Sequence, residues 1–338
     1  MIKKHFGKPA ERGYDIFIGQ NLLGDTASLF GLYKGSRALI VTDNGVPQKY
    51  SGRVYDSLNA AGCLVYNVTI PGGEEHKNLN NVGLILDALL LNNFNRSDTV
   101  ISVGGGVVGD TAGFAASCFM RGIDVYNVPT TLLSQADSSV GGKTGVNFSG
   151  VKNLIGAFHR PKGVLIDTGT LSTLSGRHFS NGMAEIIKMA STFDCSLFDD
   201  IGRHIPVDQI ISRVLDIKIS VVESDEKESG LRRSLNFGHT LGHGIEMHTG
   251  LLHGESIGVG MLAMSGGEAK DKIAGKLTEF GLPISVDVDV DAVIETVMHD
   301  KKSSSGGVRC ILCDKIGTYY EAVLSREQIK ERLMSVTG

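Results

Sequence analysis

Hydrophobic and polar positions follow two different periods along the chain. In the first half, short apolar runs rich in β-branched residues predict buried strands at 37–43, 63–70, 98–105, 124–129 and 163–168. A helical pattern lies between two of them, at 80–94. Strands that alternate with helices indicate a parallel sheet covered by helices.

After about Leu171 the period becomes that of amphipathic helices. Apolar residues recur at helical spacing through 182–191, 208–228, 232–250 and 256–281. A last segment after Pro283 ends in a predicted hairpin at 307–323. We therefore expect an α/β nucleotide-binding domain over residues 1–170 and a mainly α-helical domain over residues 171–338.

Composition restricts the classes of partner. The 338 residues are 41% hydrophobic and carry a formal net charge of −4, which does not favour nucleic acid or an anionic membrane as a partner. A positive field for an anionic ligand must then be local. The polar start has no signal-peptide core, and no apolar run approaches the roughly 20 residues of a membrane helix. We expect a soluble, cytoplasmic protein.

A glycine-rich turn follows the third predicted strand and opens a helix. Gly104, Gly105, Gly106 and Gly109 fit G-x-G-x-x-G, in which helix N–H groups receive a pyrophosphate. Close packing of the helix on the strand would use the same glycines. No acid follows at the usual spacing, so Asp43, at the end of an earlier strand, is the candidate for the ribose hydroxyls.

Two lysines lie in predicted glycine-rich loops. Gly141 and Gly142 lead into Lys143, and Lys152 is followed by Asn153. Lysines in such loops commonly contact phosphates as mobile point charges. Solvated surface lysines are the alternative, but the small apolar neighbours favour a functional role.

Several residues could bind a metal. Glu185 and Lys188 are three apart on one helical face among apolar neighbours, and a glutamate buried there needs a lysine or a metal as cation. His239 and His243 are four apart and could chelate one ion, and His253 starts another helix. Zinc sites commonly combine three His and carboxylate ligands. Spacing alone leaves several triples open.

Taken together, the motifs resemble one family. The stretches are GGGVVGDTAGFAAS, VPTTLL, DSSVGGKTGVN, KNLIGAF, GMAEIIK, SLNFGHTLGH and HGE. From about Gly72 to Met261 the chain resembles the 3-dehydroquinate synthase family of the sugar phosphate cyclase superfamily. The resemblance implies an N-terminal Rossmann-like NAD-binding domain followed by a mainly α-helical metal- and substrate-binding domain.

The resemblance also implies site residues. The metal, zinc foremost and cobalt as an alternative, would be held by Glu185, His239 and His253, while His243 would face the substrate. With the candidates from spacing, the NAD-binding set is Asp43, Gly72, Gly73, Glu74, Lys77, Gly104, Gly105, Gly106, Val107, Val108, Gly109, Asp110, Thr130, Thr131, Lys143, Lys152, Thr170, Leu171, Ser172 and Thr173. The substrate-binding set is Arg121, Lys152, Asn153, Lys188, Lys218, Arg232, Asn236, Lys301 and Lys302. The catalytic set is His243, Asp137, Glu228 and Lys188.

The implied reaction belongs to the shikimate pathway. It converts 3-deoxy-D-arabino-heptulosonate 7-phosphate to 3-dehydroquinate and phosphate through transient oxidation by NAD, elimination, reduction, ring opening and an aldol closure. A homodimer is implied as well. Phe148 replaces a frequent histidine, and the segment before His253 is short. These departures keep open a sister cyclase of inosose or valiolone type, beside a metal- and NAD-dependent polyol dehydrogenase and a sugar-phosphate binding protein.

Overall fold

The computed structural model describes residues 1–7, 13–225, 230–300 and 307–338. The chain forms two compact units, Met1–Leu174 and Ser175–Gly338. The first unit continues past residue 170 because a 3₁₀ turn at Thr168–Thr173 is bonded into it: the Tyr50 hydroxyl donates to the Thr170 carbonyl at 3.0 Å.

The first unit contains nine strands and four α-helices among its described residues. The strands are β1 (Ile2–Phe6), β2 (Tyr14–Gly19), β3 (Arg37–Asp43), β4 (Leu64–Ile70), β5 (Thr99–Gly104), β6 (Asp124–Pro129), β7 (Lys143–Phe148), β8 (Val151–Phe158) and β9 (Gly163–Asp167). The helices are α1 (Thr26–Phe30), α2 (Gln48–Ala60), α3 (Leu79–Leu91) and α4 (Gly106–Cys118). All five strands predicted from the sequence are present.

Seven strands form one sheet in the order β1-β2-β9-β6-β5-β3-β4. Only the β1–β2 pair is antiparallel; the other pairs of this sheet are parallel. The chain leaves β3 toward β4 and then returns to place β5 on the other side of β3. Ligands of open α/β sheets bind beyond the carboxyl ends of the strands at such a switch point.

Helices cover both faces of this sheet because side chains alternate along each strand. On β3, Ala38 and Ile40 lie in an apolar cluster with residues of α1 and α2, such as Val54. Leu39 and Val41 lie in the opposite cluster with residues of α3 and α4. The N-terminal unit is therefore the predicted Rossmann-like layer structure.

The prediction of glycine-rich loops around Lys143 and Lys152 is wrong. Both lysines lie on an antiparallel hairpin formed by β7 and β8. Gly145 and Gly156 face each other across it so closely that a Cβ on Gly156 would lie 2.1 Å from the Thr144 carbonyl oxygen. The glycines thus serve the close approach of two strands, which weakened the strand signal in the sequence.

The second unit is mainly helical, as predicted. Its helices are α5 (Gly176–Phe193), α6 (Cys195–Asp200), α7 (Val207–Ser224), α8 (His239–His248), α9 (His253–Ala263), α10 (Gly267–Glu279), α11 (Val290–Asp300) and α12 (Arg326–Met334). A 3₁₀ turn spans Leu231–Asn236, and β10 (Val308–Leu312) and β11 (Tyr320–Leu324) form the predicted hairpin. Within the described ranges, no helix has the length and apolar character that crossing a bilayer requires.

Candidate functional site

The carboxyl edge of the sheet gathers most of the segments predicted to bind NAD. Strand pairing aligns Asp43 with Ile70 and Gly104 with Pro129. Segment 72–77 follows β4, segment 104–110 starts at the end of β5, and segment 130–131 follows β6, while Asp43 is the last residue of β3. Residues predicted from separate parts of the sequence therefore come together at the switch point between β3 and β5.

The glycines of the β5–α4 turn differ in their surroundings: Gly104 is in close packing contact, whereas Gly109 faces open space. A Cβ on Gly104 would lie 2.5 Å from Val108, so close helix–strand packing requires this glycine. A Cβ on Gly109 would meet no described atom within 4 Å. Val108 is buried in the core, so only its backbone could serve a ligand. Close packing thus explains Gly104, while pyrophosphate binding near Gly109 stays a prediction.

A buried lysine connects three parts of this edge. The Lys77 ammonium donates to Asp110 at 2.6 Å and to Asn153 at 2.5 Å. Asn147 accepts a hydrogen bond from the Asn153 backbone N–H at 2.9 Å. The Asn147 side-chain amide donates in turn to Glu74 at 2.9 Å. The 72–77 loop, α4 and the β7–β8 hairpin are thereby held as one polar network.

Some predicted NAD contacts already have intramolecular partners. One Asp43 carboxylate oxygen accepts the backbone N–H groups of Gly45 and Val46, at 2.8 and 3.0 Å. The Thr170 hydroxyl is buried between Gln135 and the Asp167 carbonyl. For these residues a role toward NAD stays a prediction.

In the second unit, Glu185, His239 and His253 form a cluster. Their ligand atoms all lie within 4.8 Å of one another. The Nε2 atoms of His239 and His253 lie 3.7 and 3.6 Å from Oε1 of Glu185. Glu185 is fully buried, and neither of its carboxylate oxygens makes a hydrogen bond to a described group, although Oε2 pairs with the Lys188 ammonium. A carboxylate and two imidazoles directed at one point suit a divalent cation of zinc type.

Close helix packing brings the three ligands together. A Cβ on Gly254 would lie 2.1 Å from the Asn181 carbonyl oxygen, one turn before Glu185 on α5. A Cβ on Gly260 would lie 2.1 Å from the Gly238 carbonyl oxygen, so α9 also approaches the start of α8. Because His253 is the first residue of α9 and His239 the first of α8, both rings reach Glu185.

The charges of the cluster are strongly coupled. Burial alone would raise the pKa of Glu185, but Lys188 and the two histidines hold that pKa well below its usual range. Burial and the Lys188 charge lower the pKa of His239 well below its usual value. Burial alone would lower the pKa of His253 as well, yet Glu185 and Glu246 raise it to about 9. A metal bound at His253 Nε2 must therefore displace a proton.

The second unit also buries positive charge. Lys188 on α5, Lys218 on α7 and Arg232 in the 3₁₀ turn are all buried, and this turn packs against both helices. Asn236 ends the same turn. Positive side chains concentrated in this part of the unit would favour an anionic ligand.

Reasoning from spacing named His243 but missed Glu246. The His243 ring lies 5.1 and 5.8 Å from the rings of His239 and His253, centroid to centroid. Glu246 Oε2 lies 3.2 Å from His253 Nδ1. A signal existed, because positions 239, 243 and 246 follow the i, i+4, i+7 spacing of one helix face.

The remaining predicted residues lie elsewhere. Arg121 is exposed just beyond the C-terminal end of α4, while Gly106 of the glycine turn starts that helix. Asp137 lies in a π turn at Ser134–Ser138, after the Thr130–Thr131 segment. Glu228, Lys301 and Lys302 lie outside the described residues.

Known proteins match this chain over most of its length. Profiles for 3-dehydroquinate synthase, N-terminal and C-terminal, match residues 67–181 and 182–303. The 3-dehydroquinate synthase of Pelobacter propionicus (strain DSM 2379 / NBRC 103807 / OttBd1) is 42% identical over an alignment of 346 positions, gaps included, that covers 94% of this chain and 95% of that protein.

Solved structures share the fold. A 2-epi-5-epi-valiolone synthase from Streptomyces hygroscopicus subsp. jinggangensis 5008, with NAD+ and Zn2+ bound, has a TM-score of 0.88 at 28% identity over 98% of both chains. A 2-deoxy-scyllo-inosose synthase complexed with carbaglucose-6-phosphate, NAD+ and Co2+ has a TM-score of 0.89 at 24% identity, over 99% of this chain and 100% of that one. With the matching profiles and the 42% identical relative, this chain belongs to the 3-dehydroquinate synthase family.

Proposed function

We propose that this chain converts 3-deoxy-D-arabino-heptulosonate 7-phosphate to 3-dehydroquinate and inorganic phosphate, as a lyase that uses NAD and one divalent metal. The 42% identity to a 3-dehydroquinate synthase over nearly the whole chain is the observation that carries the proposal. The Glu185–His239–His253 cluster supplies independent chemical support, since a simple phosphate-binding protein has no need of it.

Glu185, His239 and His253 would hold the metal. When bound, the metal would polarise a substrate hydroxyl, and NAD would accept a hydride and later return it. The chain itself orients His239: the Phe237 carbonyl lies 3.2 Å from its Nδ1. The His239 ring therefore directs Nε2 at Glu185, as ligating histidines do when the other nitrogen donates to an acceptor.

The carboxyl edge of the sheet would hold NAD. The first turn of α4 offers backbone N–H groups beside the open space at Gly109, which suits a pyrophosphate. The Lys77 network fixes Asp110 and Asn153 of the β7–β8 hairpin around this position. Thr130 and Thr131 follow the neighbouring strand β6.

Substrate charge would be met by cations of the helical unit. Lys188, Lys218 and Arg232 are buried and would neutralise the phosphate and carboxylate of a sugar acid. Arginine can bind a carboxylate bidentately, which fixes orientation as well as charge. Lys152, Asn153, Asn236 and Arg121, with Lys301 and Lys302, complete the predicted substrate set.

His243 would handle the substrate hydroxyl proton. Its ring lies beside the rings of His239 and His253, which would place it near a hydroxyl held by the metal. Asp137 and Glu228 are predicted to assist, and Lys188 adds positive charge through its contact with Glu185. Positioned acid–base groups of this kind contribute about 10²–10⁴-fold to rate.

Phosphate release distinguishes this reaction from the alternatives. Purified protein with NAD and zinc or cobalt should release inorganic phosphate from 3-deoxy-D-arabino-heptulosonate 7-phosphate without net NADH. Consumption of a different sugar phosphate instead would establish a sister cyclase of inosose or valiolone type. Steady NADH accumulation from a polyol would establish a dehydrogenase.

Two histidine variants test the division of roles. His253→Ala should lose metal retention, because it removes a ligand. His243→Ala should retain the metal and lose roughly 10²-fold or more in rate, because it removes an acid–base group. Metal content by mass spectrometry checks metal retention in both variants, and the rate of phosphate release checks the loss of activity. Equal metal loss in the two variants would return His243 to the ligand set.

We propose a cytoplasmic homodimer as the working state. Exposed apolar side chains along the β7–β8 hairpin support an interface there, with Leu154 58% and Phe158 60% exposed on one face of β8. Light scattering after size exclusion should give twice the chain mass. Replacing both residues by lysine should give the monomer, and an unchanged dimer would place the interface elsewhere.

A further inference from the structure

Glu246 is a buried acid beside the metal cluster but outside it. It lies on α8, two turns after His239, on the helix face that also carries His243. Its side chain is 8% exposed, and Oε2 lies 3.2 Å from Nδ1 of His253. Among the described residues, the clustered ligand atoms belong to Glu185, His239 and His253. Burying a carboxylate costs free energy, so its position next to the His253 ring indicates an interaction with that ring.

The His253 ring is held between two carboxylates that contact its different nitrogens. Nε2 lies 3.6 Å from Glu185 Oε1, while Nδ1 lies 3.2 Å from Glu246 Oε2. A ring whose Nδ1–H donates to an acceptor keeps a lone pair on Nε2 when it is neutral. Glu246 thus selects the tautomer in which His253 can bind an ion at the Glu185 side.

We propose that Glu246 is a positioning residue for the metal ligand His253. It accepts the Nδ1–H hydrogen bond and fixes the ring orientation. It also makes the Nε2 lone pair a stronger electron-pair donor to a metal ion. This inference rests on the proposed metal-dependent function. Partners of ligating histidines typically contribute about 10–100-fold to metal affinity.

The two histidines differ in the partner of Nδ1. His239 has the Phe237 backbone carbonyl at 3.2 Å, which no side-chain substitution removes. His253 has a carboxylate, which adds negative charge as well as a hydrogen bond. The contribution of the side-chain partner can therefore be measured at His253 alone.

Metal affinity of three variants tests the proposal. Glu246→Ala removes the acceptor and the charge, and Glu246→Gln keeps an amide oxygen as acceptor. Glu268→Gln is the control, because Glu268 lies on α10 in an exposed pair with Lys272. Chelator competition with Co2+ should show weakening of about 10–100-fold for Glu246→Ala, a smaller loss for Glu246→Gln and less than 2-fold change for Glu268→Gln.

The cobalt absorption spectrum separates positioning from ligation. If Glu246 only positions His253, the Ala variant saturated with Co2+ should keep the band intensity of the unsubstituted protein, because the ligand number is unchanged. Affinity within 2-fold of the unsubstituted protein in both Glu246 variants would overturn the proposal. So would a loss as large as that of Glu185→Ala together with a changed band intensity, since Glu246 would then be a ligand.

Two further results separate this inference from the proposed function. If the unsubstituted protein binds no divalent metal, the proposed function fails and the inference fails with it. If it binds metal and the Glu246 variants bind equally well, only the inference fails. Circular dichroism of the metal-free variants checks folding, and Glu246→Gln, nearly isosteric, decides the matter if the Ala variant unfolds.

Discussion

Buried charge distinguishes a few side chains of this protein from the rest. Lys77, Lys188, Lys218 and Arg232 are the lysines and arginines that the described part of the chain buries. Removing a charge from water costs several kcal/mol unless partners compensate. Lys77 pairs with Asp110 and Lys188 with Glu185, so two of these cations stabilise acids at the proposed NAD and metal sites.

Replacing Lys77 tests the network at the sheet edge. Lys77→Met should lower the free energy of unfolding by about 1–3 kcal/mol, because the partly buried Asp110 carboxylate loses the ammonium group that contacts it at 2.6 Å. NAD affinity should also fall, because α4 and the β7–β8 hairpin lose their common hydrogen-bond donor. Chemical denaturation and calorimetric titration measure the two effects.

The matched control is an exposed pair of the same kind. Lys272 contacts Glu268 at 3.2 Å on the surface of α10. Exposed pairs contribute about 0–1 kcal/mol, so Lys272→Met should change little. If the two substitutions changed the free energy of unfolding equally, the Lys77 contacts would contribute no more stability than an exposed ion pair.

At the scale of elements, the metal cluster depends on how closely α5, α8 and α9 approach. Helices approach to backbone contact only where side chains are absent. Gly254 and Gly260 provide such contacts, one against α5 and the other against the residue that precedes α8. Each ligand comes from a different helix, so a small shift of one helix moves one ligand away from the other two.

A methyl group at position 260 should therefore disturb the site from a distance. Gly260→Ala should destabilise the protein by about 1–3 kcal/mol through overpacking and should weaken metal binding. Gly275→Ala on α10 is the control, because no described atom lies within 4 Å of its added Cβ. The control should stabilise the protein by about 0.4–1 kcal/mol. Urea denaturation with metal titration checks both variants.

Asp194 joins three helices and should make stability depend on pH in acid. It directly follows α5, accepts the Leu197 N–H in the first turn of α6 at 2.9 Å, and pairs with Arg213 of α7 at 2.9 Å. Burial alone would raise the pKa of Asp194, but the Leu197 N–H, the Ser196 hydroxyl and Arg213 together hold that pKa below 3.8.

The sign of the effect follows from this lowered pKa. The ionised carboxylate stabilises the fold fully above pH 3.8, and the contribution disappears as the pH falls through the lower folded-state pKa. Asp194→Asn keeps a capping side chain without the titration, so the stability difference from the unsubstituted protein should shrink below pH 3.8. Denaturation of both proteins between about pH 7 and 3 measures it; a constant difference would contradict the assignment.

At the scale of the whole molecule, the two compact units carry different ligands in the proposed function. NAD would contact residues of Met1–Leu174, and the metal would contact residues of Ser175–Gly338. Ligand binding suppresses the local openings that release the ligand. Each ligand should therefore protect its own set of backbone amides.

Hydrogen exchange can read this assignment directly. At about 100 times Kd, zinc should slow exchange at the starts of α8 and α9 by up to about 100-fold, and NAD should do so at the β5–α4 turn. In His253→Ala the zinc effect should vanish while the NAD effect persists. Protection by NAD confined to the second unit would contradict the proposed nucleotide site.

Local patterns in the sequence predicted much of this protein. The strands, the order of the two units and the glycine turn follow from period and from residues whose backbone needs are local. The hairpin of β7 and β8 was not predicted, because the glycines at 145 and 156 serve a cross-strand contact that no local pattern reveals. Glu246 was not predicted as part of the site, because its partner His253 lies on another helix.

The sequence by itself determined which residue types the site could use: a glutamate among apolar neighbours, several histidines, and lysines near glycines. Spacing made His239 and His243 one possible chelating pair among several combinations, and only the family resemblance implied Glu185, His239 and His253. Only the tertiary structure brought His253 and Glu185 to His239, because helix contacts at Gly254 and Gly260 join segments that are distant along the chain. Ligand geometry depends on distances between helices, and these distances are decided by packing across the whole unit.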